Sequence, residues 1–198
     1  MKKINKGFIL TIIVVVALTI YLRNVEKQRE AEKPDIKKAC EEFIEFTDKY
    51  SVLPEEMQKF EESISENQIE EYLKEMKAEL EKLMIENEDA INLQFQAFKN
   101  NLINNNNEVQ LVKNQKRTIV IDEYEFNGNQ VTVKCYNKLR MTVKSLIGTE
   151  EKIENNEFNA SEDEIVLQKI NGEWKIIYSN LKFNGNSIYY DRSDEVIF

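Results

Sequence analysis

The chain has 198 residues, with 27 lysines and arginines against 36 aspartates and glutamates, and no histidine. Without histidine it lacks Ser-His-Asp and Cys-His nucleophile pairs, imidazole acid–base chemistry and the commonest zinc ligand. Its net charge of −9 argues against nucleic acid as a direct partner, because phosphate binding needs a cationic surface.

The first element is the uncharged run Gly7 to Leu22, bounded by Lys6 and Arg23. As a helix its 16 residues reach about 24 Å, against a hydrocarbon core of roughly 30 Å. Snorkelling of Lys6 and Arg23, with Tyr21 in the interface, closes the gap. Lys2, Lys3 and Lys6 form a basic leader. That is also how a secretory signal begins, but no small-x-small cleavage pattern follows the apolar core. The reading is therefore an uncleaved transmembrane signal anchor over residues 1–23, with a cleaved signal as the alternative. The basic leader puts the amino terminus inside the cytoplasm and the body outside. The leader and anchor carry +3, so −12 falls on the body. That balance disfavours docking on anionic lipid headgroups.

Residues 24–34 are densely charged and read as a stalk, with Pro34 suited to the first turn of a new helix. Residues 35–198 then form one extracytoplasmic domain, long enough for a real core. Ile36, Cys40, Phe43, Thr47 and Tyr50 recur at steps of four and three, which predicts an amphipathic helix over 35–50 broken by Ser51–Pro54. Met57, Phe60 and Ile64 resume the apolar pattern, and Ser65 or Asn67 caps a further helix. Ile69, Leu73, Met76, Leu80, Leu83, Asn87 and Ala90 then alternate steps of four and three. This predicts one long helix lying on a sheet; the alternative is a coiled-coil seam over Ile69–Leu83 that makes a homo-oligomer. Ile91, Phe95, Phe98 and Leu102 extend the stripe, and Asn104–Asn107 ends it as a loop.

After that the period falls to two. Thr118–Phe126 and Val131–Val143 flank the turn Asn127-Gly128-Asn129. The alternation puts Val120, Asp122, Tyr124 and Phe126 on the face of Val131, Val133 and Cys135. Residues 148–163 read as an acidic, Asn-rich loop. A second hairpin turns at Asn171-Gly172, pairing Ile170 with Glu173 and Leu167 with Ile176. Ile165, Leu167, Trp174, Ile176 and Tyr178 then share one face. Ser187–Phe198 reads as a short edge strand.

Helices followed by antiparallel strands predict an α+β domain with helices on one face of a curved antiparallel sheet. The closing hairpin, IVLQKINGEWKII from Ile165 to Ile177, resembles the last hairpin of nuclear-transport-factor-2-like domains at Leu167, Lys169, Asn171, Gly172, Trp174, Lys175 and Ile176. EFNGNQVTV, from Glu125 to Val133, is similar to an earlier strand pair of that family. The resemblance implies a cone-shaped domain with a pocket between a long helix and the sheet. Enzyme members of the family use Asp with His or Tyr there, and the missing histidine sets this chain apart. A short leader, one anchor and one such domain are similar in layout to the assembly component of type IV secretion and conjugation machines.

The candidate pocket residues are Asp122, on the expected inward face, with Tyr124, Tyr136 and Tyr178; core packing is the competing role for the tyrosines. Cys40 and Cys135 both fall on inward faces, where two buried free thiols are expected over a disulfide. The acidic patches lack the loop pattern hard cations favour. Phosphate loops, cysteine-pair zinc motifs and dinucleotide turns are absent, so no metal, cofactor or catalytic set is expected. The resulting expectation is a non-enzymatic, membrane-anchored domain that assembles with other envelope proteins. A small-ligand pocket domain, or an accessory domain in cell-wall processes, is the alternative.

Overall fold

The computed structural model describes residues 6–59 and 64–181, with side chains of 10–59, 64–159 and 163–181. It divides into two compact units, Met1–Lys37 and Lys38–Phe198. Three helices, α1 (Lys6–Lys49), α2 (Glu70–Leu83) and α3 (Glu88–Asn104), precede five strands. These are β1 (Asn106–Asn107), β2 (Gln110–Asn127), β3 (Gln130–Ile147), β4 (Glu150–Ile170) and β5 (Glu173–Asn180). The strands form one antiparallel sheet in the order β1-β2-β3-β4-β5. This antiparallel sheet with its helices is the α+β arrangement expected.

The anchor does not appear as a crossing element: among the described residues no helix is long and apolar enough to span a membrane. Over Leu10 to Leu22, where side chains are described, the apolar stretch is about 20 Å of helix, and charged residues follow from Arg23. Pro34 lies inside α1 rather than opening a new helix. Its ring leaves the Glu30 carbonyl without a helical donor, but the flanking Glu, Lys, Arg, Gln and Ala residues are strong helix formers.

The α1 stripe is as the spacing predicts. Ile36, Cys40, Phe43 and Tyr50 are fully buried and Thr47 is 1% exposed. Phe43, Phe46, Tyr50, Tyr72 and Phe98 form an aromatic cluster with ring centroids 4.8 to 6.4 Å apart. Ser65 opens the α2 region with a capping box closed by Gln68. The single long helix expected after it is two helices. The first ends where Met84 turns to extended backbone, and Asn87 caps the second, its side chain accepting from the Ala90 N–H at 3.0 Å. Between them Met84 bridges to Ile176, and the Ile85 N–H donates to the Ile176 carbonyl at 3.0 Å. Ile69, Leu73, Met76 and Leu80 are all buried, so the face that an oligomeric seam would use is consumed within the domain.

The Asn104–Asn107 loop contains β1, which pairs with Gln110 and Leu111. Residues 148–163 are not a loop: after a turn at Gly148, φ +67°, they enter β4 and pair along β3. The second hairpin keeps its expected register, Ile170 opposite Glu173 and Leu167 opposite Ile176. Its turn needs a left-handed pair, supplied by Asn171 (φ 52°) and Gly172 (φ 90°). The expected edge strand at Ser187–Phe198 lies outside the described residues.

Candidate functional site

The sheet has four register shifts among the described residues, one of them between Cys135 and Asn137 where β3 meets β4. The other three decide which of the candidate side chains face the interior. In β2 the pairing with β3 slips between Ile121 and Glu123, so Asp122 is an extra residue. A one-residue slip moves every following side chain to the other face. Phe126 and Tyr124 face inward opposite Val131 and Val133, as expected. Beyond the bulge the inward residues become Ile121, Ile119 and Arg117, opposite Cys135, Asn137 and Leu139. Val120 and Asp122 are exposed instead. A second slip, between Val112 and Asn114, makes Lys113 extra. A third, between Val166 and Leu167 on β4 and their β5 partners, makes Ile177 extra and leaves Tyr178 exposed at 51%.

The consequence is a buried ionic cluster that alternation alone did not anticipate. Arg117 is only 2% exposed and Asp163 is fully buried, with Asn137 beside them on the inner face at 2%. Asp48, from the last turn of α1, reaches the same place. Its Oδ2 accepts the Arg117 backbone N–H at 2.7 Å, and its Oδ1 lies 3.4 Å from the Gln115 amide nitrogen. Burial pulls the Arg117 guanidinium down from its ordinary range, while Asp48 and Asp163 oppose that shift. Burial raises the Asp48 carboxyl, against the Arg117 N–H bond, the Gln115 bond and the Arg117 charge. An arginine keeps its charge inside a protein, so the two carboxylates supply its compensation.

Asp48 also lines an open cleft of about 540 Å³. One wall is Val52, Leu53, Pro54 and Tyr72; the other is Lys113 to Lys116 at the start of β2. The walls are tied together by side chains. The Tyr72 hydroxyl lies 2.9 Å from both the Lys49 and Val52 carbonyls, joining α2 to the end of α1. Gln58 donates to the Leu53 carbonyl at 2.9 Å and accepts from Lys113 Nζ at 2.5 Å. Lys49 is held by Glu75 at 3.0 Å and Glu79 at 2.7 Å. Burial lowers its pKa and these bonds more than reverse that, so it stays charged.

None of the four residues expected to form a pocket lines this cleft. Asp122 is exposed at its bulge. Tyr136 pairs with Val120 on the outer face, both exposed. Tyr178 is outward too, and Tyr124 alone of the set faces the interior, half-buried. Cys40 and Cys135 are free thiols, both buried, and burial pushes each up to about 12. Among the described residues no group of His, Cys, Asp and Glu is placed to hold a metal ion. Reading missed Asp48, Arg117 and Asp163. The signal available was period two: Arg117, Ile119 and Ile121 alternate cleanly, as do Asp163, Ile165 and Leu167.

No protein-family model and no curated protein matches the chain. Among solved structures it is similar to the intermembrane space region of the chloroplast protein ARC6, at 8% identity with a TM-score of 0.42. That match covers 77% of this chain and 93% of the other. It is also similar to a variant of Rv3472 from Mycobacterium tuberculosis, described as a protein of unknown function. There the identity is 19% and the TM-score 0.22, over 44% of this chain and 45% of the other.

Proposed function

We propose that the chain is a non-enzymatic interaction domain of a bacterial envelope or secretion complex. It is held at the membrane by the first part of α1, with residues 38–198 on the extracytoplasmic side. One observation carries this: every described side chain from residue 10 to 22 is exposed, and ten of them are large and apolar. A helix that is apolar all round belongs in an apolar surrounding. The Thr19 hydroxyl is already satisfied by the Val15 carbonyl at 2.8 Å, so it needs no water. Half-exposed side chains of this size contribute on the order of 10 kcal/mol together when taken out of water. The uncharged run of the sequence begins three residues earlier, at Gly7, which lengthens the segment available to lipid. A non-enzymatic role is supported by the absence of histidine and by the engagement of the buried Arg117 with the charges of Asp48 and Asp163.

The test is alkaline carbonate extraction of cell membranes. The full chain is expected in the pellet. The V14K/L18K variant is expected in the supernatant, because a lysine near the centre of a spanning helix costs about 2.5–3.5 kcal/mol. A reporter active only outside the cytoplasm, fused after Phe198, is expected to be active. Wild-type protein in the carbonate supernatant sinks the proposal.

A further inference from the structure

We propose that the cleft beside the end of α1 binds a small organic anion with a flat apolar body, its carboxylate taken by Lys113 and Lys116. This is separate from how the chain is held at a membrane. The cleft's size, about 540 Å³, falls within the roughly 300–1,000 Å³ of small-molecule sites. Val52, Leu53, Pro54 and Tyr72 give it an apolar wall against which a ring can lie.

The charged rim sets the class of ligand. Lys49 is engaged by Glu75 and Glu79. Both Asp48 oxygens meet donors from β2. Lys113 has a neutral partner, the Gln58 amide, which leaves two of its N–H groups for a ligand. Lys116 is exposed, and its charge acts on Asp48 without a direct ion pair among the described residues. Two carboxylates oppose them on the lining: Glu45, which is exposed to water, and Asp48, which is buried and already bonded by β2.

Lys113 stands on this rim because it is the extra residue of a bulge, a device that re-aims a side chain out of the strand's alternation. Gln58 then holds both Lys113 and the Leu53 carbonyl, and Tyr72 fixes the far end of the 52–54 segment. The wall and the cation are therefore set before a ligand arrives, which lowers the ordering cost of binding.

The experiment is isothermal titration of 2-naphthoate into the full chain in lipid nanodiscs, with empty nanodiscs subtracted. Saturable binding is expected. Neutral 2-naphthamide is expected to bind at least about tenfold more weakly, through loss of charge-assisted hydrogen bonds. K113E/K116E is expected to weaken naphthoate by a similar factor while leaving its urea midpoint, read by Trp174 fluorescence, at the wild-type value. Absence of saturable naphthoate binding overturns the proposal. So does equal binding of the amide, equal binding by K113E/K116E, or tighter binding of 2-naphthylmethylammonium, which assigns the rim to Glu45.

Discussion

Arg117→Met isolates the energetics of the buried cluster. The methionine keeps much of the volume and removes the cation, leaving Asp48 at 9% exposure and Asp163 at 0% as two buried carboxylates without their counter-charge. Breaking a buried ion pair by removing one partner costs about 3–5 kcal/mol, because the remaining charge stays desolvated. The lower end applies here, since Asp48 keeps its bond from the residue-117 backbone N–H, at 2.7 Å in the wild type. Protonation of one carboxylate relieves part of the cost. A loss of about 3 kcal/mol at pH 7 lowers the urea midpoint by about 1 M or more, given slopes of roughly 1–3 kcal/mol per molar. The readout is fluorescence of Trp174, the only tryptophan, which is 7% exposed. The loss is expected to shrink towards pH 4, as the orphaned carboxylates take up protons in the folded state. A loss below about 1 kcal/mol at pH 7, or one independent of pH, refutes the account of Arg117 as a cation compensated by Asp48 and Asp163.

Three further outcomes follow from the same packing. Asp48 holds its proton more tightly folded than unfolded, so its contribution is complete below the ordinary value of 3.8 and is lost as pH rises through the folded value. Asp48→Asn does not titrate, so its stability relative to wild type is expected to rise from pH 4 upward; a flat or falling difference in urea midpoints counts against this. Met76→Ala, at a fully buried site, is expected to cost about 2–5 kcal/mol. Its mass by sedimentation is expected to match wild type, whereas a drop would restore the oligomeric seam. Cys40 and Cys135 are expected to be silent to a thiol reagent at pH 8 in the folded, unreduced protein and to give two thiols on denaturation; a count of zero establishes a disulfide.

Alternation reads a strand's faces correctly only up to the next bulge, and that limit accounts for what could and could not be read. The α1 stripe from Ile36 to Tyr50 needed no tertiary information, because a helix keeps its phase and each of those residues is apolar or small. The closing hairpin was legible for a similar reason: Asn171-Gly172 demands a left-handed turn, and the turn fixes the register of Leu167 opposite Ile176. Tyr178 was lost only because Ile177 is inserted between it and that turn. In β2 an acid between Ile121 and Glu123 looks like a buried carboxylate if the period is unbroken, and like an exposed insertion if it is not. The chemistry of the residue favours the insertion, since an unpaired buried carboxylate is costly. Accepting that cost argument at Asp122 forces Ile121, Ile119 and Arg117 inward. An inward arginine in turn requires acids to meet it, which points to Asp48 and Asp163. β4 resisted reading for a different reason. Its inward positions over the first half are Glu154, Asn156 and Phe158, all only half-buried, so little of the polar–apolar contrast that marks a strand was available there.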